Sequence, residues 1–167
     1  MIPSAGPSRH RRHRRVEERK DEGSRMLAEI ARRCEAVEEC YEFLLAYAAQ
    51  GLPTDQGSKS GGQMRELLAS AVKALTGLSE TCALAIKEEE LEPADKYSAF
   101  FGVLDRDARD SLAAIELVLA QPTISSQLVD NLNASIHLRA LLTDLFLLGE
   151  IVRKQDKPVG QVASEGE

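Results

Sequence analysis

Tryptophan is absent from the 167 residues, and Phe and Tyr bring the aromatic share to only 4%. Core volume must then come from Leu, Ala, Ile and Val, which suits helix packing better than a β-sandwich. Cysteine is scarce as well. Cys34, Cys40 and Cys82 make an odd number, with no CxxC pair and no Cys/His set at zinc spacing. The expectation is reduced thiols in a cytoplasmic protein, with no metal and no cofactor. Long apolar runs are missing: none reaches the ~18 uninterrupted residues of a membrane span. The nearest, Leu141 to Gly149, is interrupted by Asp144. The basic N-terminus has no apolar run behind it, so no secretory signal is expected.

What is present is ordinary for one globular domain: 43% hydrophobic and 29% charged residues. The charge is unevenly spread. Residues 1–15 carry five Arg and no acid, and the whole chain carries −6, which leaves −11 for the remainder. An acidic body with a basic arm is unlike a general nucleic-acid binder, whose footprint is a basic face.

The opening MIPSAGPSRHRRHRR combines Pro, Gly and Ser with an Arg/His run and reads as a disordered arm over 1–15. Four helical stretches follow over 16–155, at about 16–50, 63–90, 93–121 and 125–155. In the first, Leu27, Ile30, Cys34, Val37, Tyr41, Leu44 and Ala48 recur at steps of three and four. Gly51 and Pro53 stop it, and the rest of GLPTDQGSKSGG reads as a flexible linker. The second carries Met64, Leu68, Ala71, Leu75, Leu78, Cys82 and Ala85. The third begins near Pro93 and carries Tyr97, Phe101, Leu104, Ala108, Ser111, Ile115 and Val118. Ser125 is placed to cap the fourth, and 156–167 reads as a polar tail. Heptad-like stepping and short connections predict an all-α fold: four long helices in an antiparallel, up-down-up-down bundle. The longer first loop leaves a crossover open.

The last stretch differs from the others. On a continuous helix Leu138, Leu141, Leu142, Leu145, Leu148 and Val152 form one apolar sector. Val129, Leu132, Ile136, Ala140, Leu147 and Ile151 form a second, nearly opposite. A four-helix bundle covers one such sector. The other is expected to be a partner interface, extended by Phe43 and Tyr47, which point off the main stripe of the first helix. The occupant is a second copy or another protein; the alternative is a central helix enclosed by its own chain.

Signals for catalysis are thin. His137 stands alone outside the arm, and Asp130 and Asp144 lie seven residues from it, about 10.5 Å along a helix, too far to orient it. IHLRALL is similar to the phospho-accepting helix of histidine kinases only in its His, Leu and Arg; the acid and the Pro are missing. Ala134 and Ala140 flank His137 at three residues, which excludes the Glu-x-x-His pairs of di-iron bundles. Asn131, Leu132 and Asn133 stand where helical-bundle ribonucleases of the HEPN kind need Arg. In GSKSGG, Ser58 separates Gly57 from Lys59, so no Walker loop exists.

The expected function is therefore a non-enzymatic helical interaction or adaptor protein, homodimeric through the second face of the fourth helix. Arg9, Arg11, Arg12, Arg14 and Arg15 would add an electrostatic arm for an acidic partner or nucleic acid. Two alternatives stand beside it: a nucleic-acid-associated regulator using that arm, and a divergent histidine phosphotransfer bundle using His137.

Overall fold

The computed structural model describes the backbone of residues 9–155 and the side chains of 18 and 21–151. Within these bounds every regular element is a helix: α1 Arg9–Ala48, α2 Lys59–Leu75, α3 Leu78–Glu88, α4 Ala94–Leu119, α5 Ser126–Asn133 and α6 Ile136–Gln155. Six helices stand where four were expected, and the two extra ends have identifiable causes.

The first break falls at Thr76 and Gly77. Gly77 takes φ 73°, a left-handed conformation that favours glycine and ends a helix. The exposed end of α2 is then satisfied from outside. Arg33, held by Glu29 at 2.8 Å, donates to the carbonyls of Ala74 and Thr76 at 3.0 and 2.6 Å. α3 leaves at 43° to α2. The second break falls at Ala134 and Ser135, inside NLNASIH. Asn and Ser side chains compete for nearby backbone groups, so three of them within five residues weaken a helix there.

α2 and α3 run back along α1. Arg33 meets the end of α2, and a side chain at Gly23 would collide with Glu89, just past α3. α4 packs on α2, α3 and α6, and α1 packs on α2, α3, α5 and α6. The expected stripe of the second stretch, Met64, Leu68, Ala71, Leu75, Leu78, Cys82 and Ala85, is buried throughout. So is that of α4 from Phe101 to Val118. Cys40 lies off the main stripe of α1 and is buried all the same, because α1 is enclosed on more than one side.

The linker 51–62 departs most from expectation. Lys59–Gly62 already belong to α2, capped by the Ser58 hydroxyl, which accepts from Gly61 N at 2.9 Å. Asp55 is buried and ties three segments together. It accepts from Arg65 Nε at 2.5 Å and from the backbone N–H of Ile124 at 2.6 Å. Arg65 also donates to the carbonyls of Leu119 and Gln121 at 3.2 and 3.0 Å, covering the orphan end of α4. Gly61 is required here, since a Cβ would collide with the Asp55 carbonyl oxygen. Beside this knot Ser126 N donates to the Leu52 carbonyl at 2.8 Å. The Ser126 hydroxyl accepts from Leu52 N at 2.9 Å and donates to the Tyr47 carbonyl at 2.8 Å. The start of α5 is thereby pinned to the end of α1, and this fixes where α6 begins.

Residues 9–15, expected to be a disordered arm, have helical backbone continuous with α1. The run from Arg9 to Glu22 contains no Gly or Pro, and Arg is among the better helix formers. The rest of the arm, 1–8, and the tail 156–167 lie outside the described residues.

Candidate functional site: the outward face of α6

α6 buries Leu138, Leu141, Leu142, Leu145 and Leu148. At about 100° per residue these centre on one side of the helix. The opposite side carries Ile136, Arg139, Ala140, Thr143, Leu147, Glu150 and Ile151. Ile136 is 75% exposed, Leu147 50% exposed, and Phe146 beside them 52% exposed. Ala140 and Ile151 are half-buried on the flank. This portion of the expected second face is present.

The rest of it is not. Val129 and Leu132 are buried in their own chain, at 0% and 5% exposure, and cannot form an interface. On an unbroken helix Val129 lies about 20° from Ile136, on the outward side. The break at Ala134–Ser135 resets the phase, so α5 turns Val129 and Leu132 into the core while α6 keeps Ile136 outside. Tyr47 is likewise enclosed, because α5 packs on the last turn of α1, and its hydroxyl donates to the Ile124 carbonyl at 3.3 Å. Phe43 is half-buried against the core. The side chains of Arg9, Arg11, Arg12, Arg14 and Arg15 lie outside the described residues. Phe146 belonged to neither sector in the sequence reading. It lines a groove of about 370 Å³ between α1 and α6, with Leu27, Ile30, Ala31 and Cys34.

On the other flank, facing α4, sits an acidic group. His137 Nδ1 lies 3.5 Å from Asp110 Oδ2, so the ring's carboxylate comes from a different helix rather than from Asp130 or Asp144. Among the described residues, Asp107, Asp110 and His137 each place one potential ligand atom within 4.8 Å of the others, a spacing that a metal ion could bridge. Asp110 and His137 are, however, 56% and 50% exposed and already paired with each other. Asp144 stands nearby with its Oδ2 buried and without a hydrogen-bond partner. Burial, together with the Asp107 carboxyl set against it, pushes Asp144 up to about 6. No Lys or Arg ion-pairs with Asp107 or Asp144 among the described residues.

All three thiols are buried, and burial raises each to about 12, far from the reactive thiolate range. No single helix among the described residues is long and apolar enough to cross a membrane. Set against family models, curated proteins and solved structures, the chain matches none.

Proposed function

We propose that this chain is a non-enzymatic interaction protein that docks through the outward face of α6, with a second copy of itself as the partner. We read the six helices as four rods of an antiparallel bundle: α1, the bent α2–α3 pair, α4, and the broken α5–α6 pair. In that reading α6 has apolar residues on both of its sides, with Ile136, Phe146 and Leu147 exposed, whereas the only large apolar residues that α4 exposes on its outer side are the widely spaced Val103 and Leu117. The carrying observation is the exposure of Ile136, Phe146 and Leu147 within three turns of a helix whose inner side is already filled by five Leu. Apolar groups of this size on one helix face usually mark a contact surface. Chemistry finds less support, since the imidazole of His137 and the carboxylate of Asp110 are half-exposed and already paired with each other.

The test is solution mass by light scattering at tens of micromolar, for the native chain and for Ile136→Glu/Leu147→Glu. The native chain should show twice its monomer mass of 18.3 kDa. The double variant should be monomeric with unchanged helical circular dichroism, since both positions point to solvent in the single chain. A native chain that is monomeric throughout that range overturns the reading.

A further inference from the structure

We infer that two copies pair α6 against α6 in antiparallel fashion, about a twofold axis passing between the levels of Thr143 and Asp144. This rests on the docking reading above and specifies its geometry.

The argument starts from which residues share a flank. Taking Ile136 as the reference direction, Thr143 and Leu147 lie within about 20° of it. Ala140 and Ile151 fall to the flank facing α4, where His137 and Asp144 also lie. Arg139, Phe146 and Glu150 fall to the flank facing α1. In an antiparallel pair with a twofold axis, each flank meets the same flank of the copy, with heights reversed. The sequence on each flank can then be compared with itself read backwards.

On the α4 flank Ala140 and Leu147 stand equally far above and below the midpoint between 143 and 144. So do Ile136 and Ile151. The small Ala140 therefore meets the large Leu147 of the second copy, twice, and Ile136 meets Ile151. On the α1 flank Arg139 falls within two residues, about 3 Å, of the level of Glu150 of the second copy. Long side chains span that offset, giving two equivalent ion pairs across the axis. In a parallel pair the flanks would cross, setting Arg139 beside Ala140 and Glu150 beside Ile151 of the copy, so that neither charge meets its opposite at its own level. Both flanks thus favour the same antiparallel register.

Size sets the expected strength. A 20-residue helix is about 30 Å long, and a strip about 10 Å wide along it is well below the ~800 Å² per partner of a standard interface. The dimer is accordingly expected to be concentration-dependent, in the micromolar range.

The test is site-directed cross-linking of the full chain at about 50 μM with a short bismaleimide, read on a denaturing gel beside the mass measurement. Thr143→Cys lies almost on the axis and should link to its own copy in more than half of the chains. Arg139→Cys, displaced about 13 Å from its own copy in this register, should link at least fivefold less. The native chain should not link, because Cys34, Cys40 and Cys82 are buried. Separately, Arg139→Glu should weaken the dimer about tenfold, and Arg139→Glu/Glu150→Arg should restore it. A dimeric mass with equal linking at 143 and 139, or with none at 143, overturns the antiparallel register and leaves docking through α6 standing. A monomeric mass for the native chain overturns docking and the register together.

Discussion

Two carboxyl groups in this molecule have opposite surroundings. Asp55, in the loop between α1 and α2, is buried, but it meets a guanidinium and a backbone N–H, and these hold its carboxyl below the usual carboxylate range. Asp144, on α6, is partly buried against another acid with no cation supplied, and its carboxyl is pushed upward. The loop end is built to hold a charge; the flank between α4 and α6 tolerates one. The lesson is that burial alone does not set the behaviour of an acid. The partner does, and here the partner comes from a different element of the fold in both cases.

The largest test of this contrast removes the partner at the loop end. Arg65→Met should strand the Asp55 charge and cost about 3–5 kcal/mol, read as a lower urea midpoint with the slope unchanged. Next comes Asp144→Asn. The folded state prefers Asp144 protonated, so the penalty on folding grows as pH rises from about 4 to about 6 and is constant above that. The variant should therefore gain on the order of 1–2 kcal/mol at pH 7.5 after allowance for partial exposure, and nothing at pH 4. Asp55 works in the opposite sense: its contribution is present above the ordinary carboxylate pKa and is lost as acid protonates it below that. Equal pH profiles for the native chain and Asp144→Asn between pH 4 and 7 would erase the contrast. The smallest effect belongs to Tyr47→Phe, which removes the 3.3 Å bond to the Ile124 carbonyl but keeps the packing. About 1 kcal/mol should be lost in thermal unfolding.

Much of the architecture was legible from residue spacing. The stripe from Met64 to Ala85 and that from Phe101 to Val118 are buried as their periodicity required, because each helix there has one dominant apolar sector. What spacing hides is a change of phase. Gly77 inside a helical pattern is tolerated often enough that it did not announce an end, yet its positive φ makes one. At Ala134–Ser135 the same problem decided the site. A count that assumes one helix carries Val129 and Leu132 to the outside with Ile136, and the two-residue interruption returns them to the core. The α6 half of the candidate face needed no such assumption, and Ile136 and Leu147 lie exposed on it. Tyr47 and Asp55 were out of reach for another reason. The place of Tyr47 depends on α5 folding back on the end of α1, and that of Asp55 on Arg65 and Ile124 meeting at the loop, neither of which local pattern encodes. The pairing of His137 with Asp110 across two helices was equally invisible.

The three sulfurs carry one more consequence. Two sit on α1 and one on α3, all buried and each almost wholly protonated at neutral pH; Cys34 lines the groove beside Phe146, while Cys40 and Cys82 are sealed from solvent. An alkylating dye must then wait for the rods to part before it can react. The chain thus contains its own stopwatches for breathing motions, and comparing the labelling times of Cys40 and Cys82 would tell whether α1 and α3 loosen together or one after the other.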